Sequence, residues 1–417
     1  MTFKGSRLIA ASAAFALAAA IGATGASAQT APSVIKIGTL YAGSGEFAVS
    51  SQAQYDGLKF WAKKVNKDGG VFVKTYNKKI PVKIVAYDDQ SSTSTATTLY
   101  NQLITQDHVD LLVADFGSVL TSVAVPLTKE HNQLLVDVTG SSAGFFSSDN
   151  KYLVDLSIPS SGVWPIPLAK YLIKQGVKKV AIVYGSNDFD SSQADTLKSE
   201  LKKAGITPVY DHAVPTNETN YTVLLHAAAA SKPQAMVELG YMSNDVAFLK
   251  SLKSSGLHFP MVFTIFPGQF KALMEKNAGK DALAYTYSYP APPIVKYDKV
   301  SLGLNTDQFI NAWEADGHKS APNFVNTAGY STGILLAKAL STASDMKQLT
   351  IRSALEGLSG NTSTLVGPFA LSQTGAQMGE RLPVAQFQPQ KDGSLKTVVV
   401  YPDTMATGKA IYPAPQG

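Results

Sequence analysis

The sequence predicts an α/β protein of two Rossmann-like lobes, each a parallel-type sheet flanked by helices, joined by a hinge that the chain crosses more than once. Two observations carry this. Short apolar runs of buried-strand type alternate with segments of helical spacing from Ile35 to Tyr289, the pattern of a parallel sheet with right-handed crossovers. The rhythm breaks at Pro159-Ser160-Ser161-Gly162 and again at 290–293, where a chain passing between lobes would lose it. Length agrees, since a chain of 417 residues that loses a 28-residue leader keeps 389, the size of two domains.

The leader is read from Lys4 and Arg7, an Ala-rich apolar stretch over 8–21 and Ala26-Ser27-Ala28, an A-x-A site that predicts cleavage after Ala28. Its apolar core is too short for a membrane span, so the expected location is the periplasm. A strand over 35–40 then runs into Ala42-Gly43-Ser44-Gly45. Helices over 53–65 and 95–106 bracket a strand over 80–87 that ends in Asp88-Asp89-Gln90.

The most informative stretch is 109–144. A strand over 111–116 stops at Gly117-Ser118, and apolar residues at helical spacing begin at Val119, so Ser118 is placed as a helix N-cap. A second strand over 134–138 ends in Thr139-Gly140-Ser141-Ser142. Two neighbouring strand ends would deliver N–H and hydroxyl groups to one sheet edge, where open α/β sheets bind ligands. Such groups suit a carboxylate. Ser118 and Gly140, Ser141 and Ser142 are therefore read as a carboxylate cradle, with Phe116 and Gly117 at its edge.

After a strand over 152–157 and the first break, helices and strands alternate again: helix 164–174, strand 179–184, helix 192–204, strand 208–214, helix 221–230, strand 235–239, helix 245–255, then strands 261–266 and 282–289. Helices over 307–316, 324–342 and 347–358 come after the second break, and a hairpin joins 384–388 to 395–401 across Lys391-Asp392-Gly393.

Composition narrows function. Without Lys4 and Arg7, 34 basic residues face 31 acidic ones, and Arg352 and Arg381 are the remaining arginines, so no nucleic-acid footprint is expected. The absence of cysteine excludes disulfides, thiolate metal sites and a lipid anchor on cysteine.

The chain resembles the leucine/isoleucine/valine-binding family of periplasmic solute-binding proteins, with the type I two-lobe fold. The resemblance rests on Ile35-Lys36-Ile37-Gly38 with Gly43-Ser44-Gly45, on Val65-Asn66 before Gly69-Gly70, and on Tyr87-Asp88-Asp89-Gln90-Ser91. Val109-Asp110 ahead of Ser118, Lys178-Lys179-Val180-Ala181-Ile182 and Val366-Gly367-Pro368 complete the ordered series. It implies three crossings, dividing the chain into 1–28 as leader, 29–157 with 291–367 as one lobe, and 158–290 with 368–417 as the other. It also implies closure on a small molecule and delivery to an ABC permease; a monomer with no cofactor and no catalysis is expected. Ser118 and Gly140 to Ser142 are the implied carboxylate positions, and the implied aromatics of the second lobe fall near Phe189 and Tyr241.

The chain departs from the family at one place. Amino-acid-binding members carry an acid after the fourth strand of the second lobe, and Val262-Phe263-Thr264-Ile265-Phe266-Pro267-Gly268 has none. An ammonium buried without a carboxylate costs several kcal/mol. The ligand expected is thus a carboxylic acid without an ammonium group, its aromatic or apolar body against Phe116, Phe189, Tyr241 and Phe266. Asp188, Asp190, Glu238 and Asp245 are the candidates that would restore an amino-acid ligand.

Two other motifs point elsewhere, each incompletely. Gly140-Ser141-Ser142-Ala143-Gly144 matches the G-x-S-x-G of serine hydrolases, with Ser142 as nucleophile, yet Phe145 to Asn150 make a poor helix where a nucleophile elbow needs a good one. Gly43-Ser44-Gly45-Glu46-Phe47-Ala48 matches a dinucleotide loop, but Asp88 lies 45 residues past Gly43, too far for the ribose acid. A sensory module of the same fold remains an alternative to transport.

Overall fold

In the computed structural model, which describes residues 1–2 and 30–415, the alternation folds into two sheets. The leader's apolar core and the cleavage point after Ala28 lie outside the described residues. The first sheet holds β1 (Ile35–Tyr41), β2 (Val82–Asp88), β3 (Leu111–Val113), β4 (Leu135–Asp137) and β5 (Leu153–Asp155), all parallel, in the order β2-β1-β3-β4-β5. Ile37 lies between Ile84 and Leu111, and the side chains of β3, β4 and β5 are fully buried, as strands covered on both faces require.

The second sheet starts with β6 (Val180–Gly185), β7 (Tyr210–Val214), β8 (Ala235–Leu239), β9 (Val262–Phe263) and β10 (Tyr287–Ser288), in the order β7-β6-β8-β9-β10. This repeats the strand order of the first sheet, with the same crossover sense expected of parallel units. Two antiparallel strands from the far end of the chain, β11 (Val384–Pro389) and β12 (Leu395–Tyr401), extend it beyond β10.

Helix α1 (Ala48–Lys67) and a later helix, Phe324–Leu340, pack along each other on the first sheet. Their approach is close because Gly329 faces the Gln54 carbonyl oxygen; an added Cβ there would collide with it. The second passage therefore returns the chain to the first lobe. The residues after Gly367 stay there for some way: the Asp155 N–H donates to the Gly375 carbonyl, and that of Ser160 to Gln377, at 2.9 Å each. The passage placed at Gly367 thus comes after Gln377, just before β11. Before that passage, Thr362–Thr364 and Gly367–Phe369 pair as a short antiparallel hairpin.

Several expected elements are shorter or divided. The helix expected from Val119 is two, Gly117–Thr121 and Ala124–His131. Strand β3 ends at Val113 because the Asp115 carboxylate accepts the Phe116 N–H at 2.6 Å and the Ser51 hydroxyl at 2.5 Å, turning the chain out of the sheet. The strand expected over 282–289 shrinks to Tyr287–Ser288, preceded by the helical turn Lys280–Leu283. Among the described residues, no helix is long and apolar enough to cross a membrane.

Candidate ligand-binding site

The equivalent strand ends of the two sheets face each other. From the first lobe, Phe47 follows β1, Phe116 to Ser118 follow β3, and Thr139 to Ser142 follow β4. From the second, Asp188 and Phe189 follow β6, Tyr241 follows β8, and Phe266 follows β9. The structure thus brings together all nine residues singled out in the sequence.

The first-lobe rim differs from the expected cradle. Ser118 is not the N-cap: Phe116 takes that position in an extended conformation, and Ser118 lies inside the first turn. Its hydroxyl oxygen accepts the Ser142 N–H at 3.0 Å, tying the two strand ends together. The Gly117 N–H donates to the Thr139 hydroxyl at 3.0 Å, and the Gly140 N–H to Asp137 at 2.7 Å. These three N–H groups are committed within the lobe, so Gly140 has no N–H to offer a ligand. Gly117 has φ +74°, a left-handed conformation that costs other residues 1–2 kcal/mol or so. The Ser141 hydroxyl is fully buried and has no hydrogen-bond partner among the described residues.

Two second-lobe side chains reach this rim. The Asp188 carboxylate accepts the Ser142 hydroxyl, and the Gly144 N–H at 3.2 Å. Tyr241 lays its hydroxyl beside the Ser118 and Val119 N–H groups and the Ser118 hydroxyl without a well-formed hydrogen bond to any of them. A Cβ on Gly117 would stand 3.5 Å from that oxygen. At the other side of the cleft, the Ser243 hydroxyl donates to Glu46 at 2.8 Å.

Behind the rim lies an aromatic wall. Tyr241 stacks on Phe266 with ring centroids 6.2 Å apart and meets Phe189 at 5.2 Å and Phe47 at 5.4 Å; Phe189 in turn meets Trp164 edge-on at 5.2 Å. Such pairs contribute roughly 0.5–1.5 kcal/mol each beyond their burial. Three cavities of about 10 Å³ each remain between the lobes, each with room for about one water-sized atom. The lobes are closed on one another.

The acids of the second lobe sort by depth. Asp190, Glu238 and Asp245 are fully buried behind the wall. Burial lifts the Asp245 carboxyl to about 7, partly offset by the Glu238 side chain beside it and by the Phe266 and Ile265 N–H groups. Burial raises Asp190 as well, and raises Glu238 with help from the nearby Asp245 charge. Asp245 holds the Phe266 N–H at 2.6 Å, and so positions the wall. Asp188, by contrast, is exposed at the cleft.

The family model described as periplasmic binding protein matches residues 34–394. The chain belongs to this family. The Leu/Ile/Val-binding protein homolog 7 of Brucella abortus (strain 2308) is 22% identical over 409 residues, covering 95% of this chain and 98% of that one. Two solved structures share the two-lobe fold. The branched-chain amino acid transporter substrate-binding protein LivJ of Streptococcus pneumoniae, in complex with isoleucine, superposes with TM-score 0.72 at 18% identity, covering 88% of this chain and 100% of that one. A solute-binding protein of an ABC transporter from Rhodopseudomonas palustris BisB5, in complex with 3,4-dihydroxybenzoic acid, gives 0.73 at 18%, covering 92% and 99%.

Family and fold are those of binding proteins, and the local structure agrees. Ser142 bonds an aspartate, and the chain after it makes the 3₁₀ turn Ala143–Phe145 rather than the helix of a nucleophile elbow. Sequence reasoning missed Trp164, Phe324 and Phe47. Trp164 follows the first hinge passage directly and Phe324 opens a helix after the second, so nearness to a passage was the signal available.

Proposed function

We propose that this protein is the periplasmic substrate-binding component of an ABC importer, closing its lobes on a small carboxylic acid with an aromatic or apolar body and no ammonium group. One observation carries the ligand class: the second lobe meets the cleft with Phe189, Tyr241 and Phe266, while its buried acids stand behind them, lifted toward the neutral form. The Ser118 and Val119 N–H groups and the Ser118 and Ser141 hydroxyls are the donors for the carboxylate, taking the place now held by the Tyr241 hydroxyl. Tyr241 swings onto the ligand body, and closure is favoured by the contacts that the second lobe adds. The protein acts as a monomer and hands its ligand to a permease.

One observation favours a second reading. Asp188 carries an exposed carboxylate to the same rim, next to where an α-ammonium would sit, and so supports a branched-chain or other amino acid as ligand. Trp164 lines the cavities and supplies a fluorescence signal. Titration of refolded, ligand-stripped protein with benzoate, 4-methylpentanoate and leucine separates the readings. The proposal expects the two acids to change the emission saturably at micromolar concentration and leucine to leave it unchanged; a response to leucine alone would establish the second reading.

A further inference from the structure

The cleft continues past the aromatic wall to the hinge. The cavity that starts at Gly117 and Thr139 is walled by Ile158, Trp164 and Phe324, and the same three residues wall a second cavity beyond. All three interlobe passages contribute to that second cavity, through Ile158, through Ala291 and Pro292, and through Glu380 and Leu382. Its lining is apolar apart from three side chains. Among the described residues, Gln269, 4% exposed, has neither its amide nitrogen nor its amide oxygen in a hydrogen bond, and Glu380, 2% exposed, has Oε2 unpaired. The third, the Thr327 hydroxyl, is spent on the Phe324 carbonyl at 2.6 Å.

A buried polar group without a partner destabilises the fold, because it has lost its water and gained nothing in return. Two such side chains on one small cavity, in a line with the carboxylate rim and the aromatic wall, point to a partner that arrives from outside the chain. We propose that Gln269 and Glu380 form a distal polar subsite that takes a hydroxyl group on the far end of the ligand. A hydroxyl both donates and accepts. The Gln269 amide offers a donor and an acceptor, and the Glu380 carboxyl adds a second contact. Tyr297 donates to Glu380 Oε1 at 3.2 Å and fixes the carboxyl, leaving Oε2 toward the cavity. Burial lifts Glu380 to about 8, so its neutral carboxyl matches a neutral hydroxyl better than a cation. The ligand class narrows from an apolar acid to a hydroxylated aromatic acid.

This inference rests on the proposed function, and paired ligands tell the two apart. Affinities are measured calorimetrically for benzoate against 4-hydroxybenzoate and 4-methoxybenzoate, and for 3-phenylpropanoate against 3-(4-hydroxyphenyl)propanoate, since the two lengths place the hydroxyl differently. In the natural protein the hydroxylated member of at least one pair should bind tenfold or more tighter than its parent, with no such gain from the methoxy group. In Gln269→Leu and Glu380→Leu that ratio should fall toward one, with the parent acid's affinity held within threefold. Parent acids that bind without any hydroxyl preference in the natural protein would overturn the subsite and leave the proposed function standing. A preference that survives in both variants would overturn it as well. If no acid of either pair binds, the subsite is overturned; if 4-methylpentanoate fails to bind as well, the proposed function fails with it.

Discussion

The Ser142 hydroxyl of the first lobe donates to the Asp188 carboxylate of the second, and the Gly144 N–H donates to the same oxygen at 3.2 Å. This link joins the two lobes at the strand end that sequence reasoning assigned to the ligand's own carboxylate. Asp188 thus binds the Ser142 side of the rim and leaves the Ser118 and Val119 N–H groups to a ligand.

Asp188→Ala should shift the ligand-free protein toward an open form. Small-angle scattering would register this as a larger radius of gyration before ligand and an unchanged one after it. The variant also separates latch from ammonium partner. As a latch, Asp188 should alter the affinities for leucine and 4-methylpentanoate by the same factor. A selective loss for leucine of about a hundredfold or more, the scale of an ion pair broken inside a closed cleft, would make it the ammonium partner.

Ser118→Ala removes the acceptor of the Ser142 N–H and a rim hydroxyl together. Binding of the acid ligand should weaken by about 1–3 kcal/mol, measured by calorimetry. Unchanged affinity would take Ser118 out of the site.

Tyr241→Phe removes a fully buried hydroxyl that has no well-formed partner. The ligand-free protein should gain about 1 kcal/mol, the cost of such a group, visible as a rise of melting temperature of roughly 1–3 °C. A fall would mean that the phenol is bonded to the Ser118 and Val119 N–H groups after all.

Stability should fall as pH rises from 5 to 8.5. Burial holds Asp137 and Asp245 at about 7 and Glu380 at about 8, well above the unfolded value near 4. The native state then binds more protons than the unfolded one between these limits. Its advantage is full below pH 4 or so and is lost as pH passes through the folded values. Melting temperature against pH checks this, and Asp137→Asn should flatten the slope. A melting temperature that climbs over the window would contradict it.

Much of this was legible in the sequence, for identifiable reasons. Strand β8 was located to the residue because Ala235–Leu239 is a continuous apolar run but for Glu238, bounded by polar turns. Phe116, Phe189, Tyr241 and Phe266 all reached the cleft, because strand-end position alone fixes which lobe face they occupy. Hydrogen-bond commitment was not legible. Nothing in Thr139-Gly140-Ser141-Ser142 announces that Asp137 takes the Gly140 N–H or that Ser118 takes that of Ser142, since both partners are distant or face inward. Gln269 and Glu380 were equally hidden: each is an ordinary polar residue in the sequence, and they meet because Gln269, in the turn after β9, and Glu380, on the third passage, line one cavity.

The most direct test of the ligand class compares two molecules that differ by one ammonium group. Calorimetric titration of refolded, ligand-stripped protein with 3-phenylpropanoate and with phenylalanine, and likewise with 4-methylpentanoate and leucine, isolates that group. The acids should bind at least a hundredfold more tightly than the amino acids. The reverse order in both pairs would contradict the proposed ligand class and return the protein to amino-acid capture through Asp188.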